Sequence, residues 1–275
     1  MSPHFFCPRW GSEHLDWPRF MSKVKEAGYD GIEWGIAHDT SHAELEKVWK
    51  EADRQGLLLI AQHYDSYQSD FGQHYRAYEA WLEKLQPYPV VKINSQTGKD
   101  FFSFQQNKAL IELAAEYARK NNTRVLHETH RGKFSFAAHI TRGYLEAIPD
   151  LTLTLDISHW VAVAESYLDD QQETVELAIA RTGHLHARVG HTEGPQVTDP
   201  RAPEWQDALS RHLVWWDRVR MNWEGQGGRG EPLTITTEFG PHPYLVHLPY
   251  TGEPIASQWD INVYMMDLLK GKYGK

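Results

Sequence analysis

Four metal-competent side chains stand at the tips of four successive apolar runs in the second half of the chain. Leu126-His127-Glu128-Thr129-His130-Arg131 ends its run on Glu128, and Leu153-Thr154-Leu155-Asp156 ends the next on Asp156. His184-Leu185-His186 lies along a third run, and Ile235-Thr236-Thr237-Glu238 closes the fourth on Glu238. Three carboxylates and one imidazole make an oxygen-rich donor set suited to a single divalent ion such as Mn²⁺, Mg²⁺, Co²⁺ or Zn²⁺. Carboxylates gathered without a cation repel one another and raise their own pKa values, a cost that the ion removes. Taken one at a time, each is equally what a polar strand end looks like when it caps the following helix.

A set of strand tips acts together only if the strands are parallel and their ends converge. The apolar runs read as strands over His4–Cys7, Gly31–Trp34, Leu57–His63, Val90–Asn94, Arg124–Glu128, Leu151–Asp156, His184–Arg188 and Leu233–Phe239. Between them lie stretches of helical periodicity. Asp16–Ala27 has Asp16 as N-cap, Pro18 in the first turn and Gly28 beyond the end; Ser41–Gln55 is closed by Gly56. Phe104–Lys120 and Ala137–Ile148 follow, the latter stopped by Pro149. Eight strand–helix repeats of roughly 30 residues with no linker predict one domain over 1–275, a (β/α)₈ barrel. An open doubly wound sheet would carry a glycine-rich turn after the first strand, and Pro8-Arg9-Trp10-Gly11 is not one. In such a barrel the active site forms at the C-terminal strand ends, where the four side chains fall.

Composition narrows the function class. The chain has 275 residues, 41% hydrophobic and 24% charged, with a formal net charge of −9. No basic stripe is present, which argues against a nucleic-acid partner because backbone binding draws its affinity from Lys and Arg. No apolar run approaches the roughly 18 residues of a membrane span, and the first residues do not read as a signal peptide. With the lone Cys7, these features point to a reducing, cytoplasmic setting. The 16 His and 11 Trp are unusual. Excess imidazole supplies ligands and proton carriers, and indoles build walls against a polar ring; core packing is the alternative use of both.

The motifs His127-Glu128-Thr129-His130-Arg131-Gly132, Asp156-Ile157-Ser158-His159-Trp160, His184-Leu185-His186-Ala187-Arg188 and Glu238-Phe239-Gly240-Pro241 resemble those of the xylose isomerase-like barrels, a group that includes the ketose 3-epimerases. The resemblance runs over essentially the whole chain. It implies that Glu128, Asp156, His186 and Glu238 ligate one divalent metal, and that His159 contacts substrate. In the strand-seven motif the sequence departs from the epimerase form: Arg188 follows His186 by two residues, and His191 with Glu193 occupies the next loop. A metal chelated by a carbonyl and its neighbouring hydroxyl stabilises an enediolate, and Glu128 and Glu238 are placed to move the proton.

Further lining residues are expected at other strand ends. Glu33 and Trp34 end the second strand, His63 the third, and Lys92 and Asn94 lie on the fourth. Lys92 is read either as a contact for an anionic group or as an interior charge paired with a carboxylate such as Glu33. Arg131 and Arg188 can hold an anion bidentately or orient Glu128; His130 belongs to the same rim. Trp10, Trp34 and Trp160 are read as stacking or packing residues. Gly225-Gln226-Gly227-Gly228-Arg229-Gly230 precedes strand eight, on the opposite face, and reads as a connection rather than a phosphate cradle. Trp215, Trp216 and Trp223 are read as an interface of a possible homo-oligomer. The functional expectation is a sugar or sugar-phosphate isomerase or epimerase acting on a small polyhydroxylated substrate. The alternatives are a dehydratase of the inosose or dehydroshikimate type, a DNA-repair endonuclease, and a non-catalytic sugar-binding barrel.

Overall fold

The computed structural model describes residues 1–226 and 230–274. Eight short strands are hydrogen-bonded in sequence order and close on themselves. They are β1 (His4–Pro8), β2 (Gly31–Gly35), β3 (Leu58–His63), β4 (Lys92–Ser95), β5 (Val125–Glu128), β6 (Leu153–Leu155), β7 (Thr182–His186) and β8 (Thr234–Thr236). Every pairing is parallel, and β1 meets β8 through His4 opposite Thr234 and Phe6 opposite Thr236. The (β/α)₈ barrel expected from the repeat pattern is therefore the architecture. Among the described helices, none is long and apolar enough to cross a membrane.

The helices follow the capping signals in the sequence. In α1 (Trp17–Glu26) the Asp16 carboxylate accepts the Arg19 backbone N–H at 2.9 Å, and Phe20, Met21 and Val24 form the buried stripe. Ser41 caps α2 (His42–Gln55), which Gly56 ends at φ +67°, a left-handed conformation that costs glycine little. Asp70 caps α3 (Phe71–Leu85), and Ser103 with Gln106 forms a reciprocal capping box at α4 (Phe104–Asn121). The remaining outer helices are α5 (Ala138–Ala147), α6 (Ile157–Ala164), α7 (Gln172–Ala180), α8 (Gln206–Gly225) and α9 (Gln258–Tyr273).

Several expectations change: the expected strand Leu233–Phe239 is only Thr234–Thr236, and His184–Arg188 is Thr182–His186. The expected strand Leu151–Asp156 is only the three residues of β6, and Asp156 is the N-cap of α6, accepting the Ser158 N–H at 3.1 Å. Two helices, α6 and α7, separate β6 from β7 where one was expected. Trp216 and Trp223 of α8 are fully buried and Trp215 nearly so, so these indoles pack into the core and offer no interface. Of Gly225–Gly230, residues 227–229 lie outside the described residues.

The apolar core lies between the barrel and the helices, because residues alternate between the two sides of each strand. On β4, Ile93 faces the helices, whereas Lys92 and Asn94 point into the barrel. The barrel interior is polar for a fold usually filled with branched aliphatic side chains. Glu33, Lys92, Asn94, Thr154, His184, His186, Thr234 and Thr236 are all buried there.

Candidate active site and cation centre

At the C-terminal mouth, one ligand atom from each of Glu128, Asp156, His186 and Glu238 lies within 4.8 Å of the others, and all four residues are buried. Glu128 ends β5, Asp156 caps α6, His186 ends β7, and Glu238 stands two residues beyond β8. The four side chains singled out in the sequence are brought together. Their setting contains more than the sequence indicated.

Amides hold the carboxylates. Asn94 Nδ2 donates to Glu128 Oε2 at 2.8 Å, and Gln96 Nε2 reaches the same oxygen at 3.3 Å. Gln62 Nε2 bridges Glu128 Oε2 at 3.3 Å and Glu238 Oε1 at 3.1 Å. Asn94 also donates to Glu33 Oε1 at 2.9 Å. Glu33 in turn faces the Nε2 atoms of both His184 and His186 at 3.1 Å. This carboxylate sets the orientation of the His186 ring and directs Nδ1 toward the cluster.

His186 Nδ1 is 2.7 Å from Glu238 Oε2 but has no aligned hydrogen bond, leaving a buried nitrogen without a proper partner. Burial disfavours a charged His186, yet Glu238, Glu33 and Glu128 outweigh it and raise its pKa. Burial pushes Glu128 up to about 7, with the Glu238 and Asp156 charges adding and His186 opposing. Burial likewise lifts Glu238, but His186 and Arg188 overcome it and hold this carboxyl below its ordinary value. Two neighbouring carboxyls thus lean toward opposite protonation states.

Arg188 enters the cluster itself. Its Nη2 contacts Asp156 Oδ2 directly, lies 3.7 Å from Glu238 Oε2, and meets His159 Nε2 at 2.7 Å. Its Nε donates to Ser158 Oγ at 3.3 Å, and its carbon lies 4.8 Å from the Tyr244 ring centre. His159 is fully buried, its ring centre 4.0 Å from that of His130, and its Nδ1 has no partner. Burial, reinforced by the neighbouring charges of His130 and Arg188, keeps His159 neutral. Exposed Arg131 donates to the Tyr244 hydroxyl at 3.3 Å on the rim.

These groups open into a cavity of about 580 Å³, lined among others by Trp10, Trp17, Trp34, Gln62, Tyr64, Gln96, His130, Arg188 and Tyr244. That volume suits a small molecule. Trp34 lines it as expected, and so does Trp10. Trp160 does not: it is fully buried, donating to the Ser135 carbonyl at 2.8 Å.

Two expected substrate contacts lie elsewhere. His63 faces the helix layer, bonded to Ser66 Oγ at 2.6 Å and packed against Tyr78 and Trp81. Strand alternation puts its neighbour Gln62 into the barrel instead. Lys92 points to the opposite end, bonding Gly183 O at 2.7 Å and Thr234 Oγ1 at 3.1 Å, with Glu231 Oε1 at 3.3 Å. It is thus an interior charge, and its carboxylate is Glu231, not Glu33. Glu33, Gln62, Gln96 and Tyr244 are the site residues to which the sequence assigned no specific role.

No protein-family model and no curated protein matches this chain. Solved structures do. The probable 3-DHS dehydratase AsbF involved in petrobactin synthesis from Bacillus anthracis matches with a TM-score of 0.61 and 16% identity, over 98% of each chain. A D-tagatose 3-epimerase-like protein gives a TM-score of 0.61 at 13% identity, covering 98% of this chain and 96% of the other. A family 2 AP endonuclease from Brucella melitensis gives 0.54 at 13%, covering 87% and 94%.

The chain shares the closed (β/α)₈ barrel fold of these proteins. At these identities the likeness is one of fold, shared by neighbours named for different reactions, so activity must be argued from the cavity and its side chains.

A divalent cation fits the donor set. Glu128, Asp156 and Glu238 contribute three negative charges and Arg188 one positive, leaving two for a divalent ion to balance. The unaligned His186 Nδ1 and the raised Glu128 pKa are what such an ion would relieve.

Proposed function

We propose that this chain is a divalent-metal-dependent isomerase or epimerase of a polyhydroxylated ketone or aldose. The observation that carries the reading is the pairing of Glu128 with Glu238 across one amide, Gln62, on the floor of a cavity of small-molecule size. Binding alone requires no pair of carboxyls bridged beside one another in a small-molecule cavity; moving a proton does.

Glu128, Asp156, His186 and Glu238 hold the ion, which supplies Lewis-acid polarisation of a carbonyl and its neighbouring hydroxyl. Glu238, with the Arg188 guanidinium 3.7 Å from its Oε2, takes the proton from the carbon beside the carbonyl. Glu128, held by the Asn94 and Gln62 amides, returns a proton. Delivery to the opposite face of the same carbon inverts a stereocentre, and delivery to the adjacent carbon exchanges aldose and ketose. Arg188 and His159 border the cluster and stabilise a developing oxyanion by hydrogen bonding. Trp10 and Trp34 exclude water from the reacting carbon.

A dehydratase would use the same proton abstraction and then expel a β-hydroxyl. An endonuclease is disfavoured by a cavity whose lining includes Glu13, Glu33 and Glu44, which repel phosphates. The test is incubation of the metal-analysed protein with ketoses and cyclic ketones in D₂O. Deuterium at the carbon beside the carbonyl, in a product of the same elemental formula as the substrate apart from that label, supports isomerisation or epimerisation. Loss of one water with a new conjugated chromophore identifies the dehydratase, and no exchange with any substrate refutes both.

A further inference from the structure

The cavity continues past the acid–base pair toward the β1–β2 side, where Arg9, Trp10, Glu13, Trp17, Trp34 and Glu44 line it. Arg9, Glu13, Trp17 and Glu44 take no part in the proton transfer, and Trp10 and Trp34 border both regions. Their chemistry is specific. Arg9 is 7% exposed, its carbon 4.3 Å from the Trp17 ring centre; Nη2 donates to the Leu15 carbonyl at 2.7 Å, and Nη1 has no partner. Trp17 and Trp34 meet edge to face at 4.7 Å, fixing both indoles. Trp10 is fixed as well: Tyr244 meets it edge-on at 5.2 Å, and its benzo ring lies over Gly240, where a Cβ would come within 2.2 Å of Cη2. Glu13 and Glu44 stand exposed at the mouth, Glu13 Oε2 accepting the Gly11 N–H at 2.9 Å.

We propose that this side is a second subsite for an uncharged, hydroxylated ring carried by the substrate. This deepens the isomerase or epimerase reading and rests on it for the reacting end. Rigid indoles suit the apolar C–H surface of such a ring. Its hydroxyls donate to the two carboxylates at the mouth. A phosphate only accepts, so it gains nothing from these carboxylates and is repelled by them. The substrate is accordingly a neutral glycoside whose second ring fills this subsite, not a sugar phosphate.

Isothermal titration of the protein with neutral mono- and disaccharides, cyclic polyols and their phosphate esters tests this. The expected result is that neutral compounds bind, and that each phosphate ester binds at least about tenfold more weakly than its parent. Trp10→Leu and the double change Glu13→Gln with Glu44→Gln should each weaken the best neutral ligand by about tenfold, and the double change should narrow the phosphate penalty. A phosphate ester binding more tightly than its parent, or no neutral compound binding, overturns the subsite. Neutral ligands bound without deuterium exchange would leave the subsite standing and remove the proposed reaction. Exchange in phosphate esters alone would do the reverse.

Discussion

Glu33 Oε1 lies 3.1 Å from His186 Nε2, on the far side of the ring from Glu238. A carboxylate behind a ligating imidazole fixes its tautomer and strengthens it as a donor. Glu33→Gln should therefore lower Mn²⁺ affinity by about 10- to 100-fold, measured by equilibrium titration, with a folded circular dichroism spectrum. Unchanged affinity would remove Glu33 from the support of the centre.

In the proposed reaction Glu238 takes the proton and Glu128 returns it. Glu238→Gln should reduce turnover and deuterium exchange by about 10²- to 10⁴-fold, the usual contribution of a positioned base, with little change in Tm. Exchange at the wild-type rate in this variant would assign the proton transfer to another group.

Gln62 and His63 are adjacent and face opposite sides of β3. Gln62 bonds both acid–base carboxylates and His63 bonds Ser66 behind the strand. Gln62→Leu should lower kcat by about 10- to 100-fold, the worth of hydrogen bonds to charged groups. His63→Gln should lower Tm while kcat stays within about twofold. The reverse pattern would mean that the strand register is wrong.

That pair shows what was and was not legible in the sequence. The barrel was legible because the strand and helix periodicities repeat eight times and the caps are explicit, as at Asp16, Ser41 and Gly56. The quartet was legible because charged groups at apolar strand tips are conspicuous. His63 reads as a site residue because it ends an apolar strand before a polar loop, although a one-residue step in register decides which side chain enters the barrel. Gln62, Gln96 and Asn94 are neutral amides whose importance appears only when the carboxylates they bridge are in place. Lys92 was ambiguous until the partners at the other end of the barrel, Gly183 and Thr234, were known. The Trp215–Trp223 segment reads as a surface in sequence because α8 is long and mixed in polarity; packing buries its indoles.

Buried imidazoles predict acid sensitivity. Burial pushes His127 down to about 3 and His212 down to about 4, the Ala208 carbonyl pulling the latter partly back. Unfolded histidine titrates near 6.5, so below that pH the unfolded chain takes up protons that the folded one refuses. Stability is fully present above about pH 6.5 and falls as pH drops toward 3 to 4, by about 1.4 kcal/mol per pH unit for each residue. Urea denaturation at pH 7 and pH 5 checks this. His127→Gln should flatten the slope, and an unaltered slope would contradict the assignment.

The central claim is that Glu128, Asp156, His186 and Glu238 share one cation. Anomalous scattering from crystals grown with Mn²⁺ tests it directly. The account predicts one strong peak per chain, about 2.0–2.4 Å from a carboxylate oxygen of each acid and from His186 Nδ1. A peak at another cluster, or none between these four side chains at saturating Mn²⁺, would contradict it.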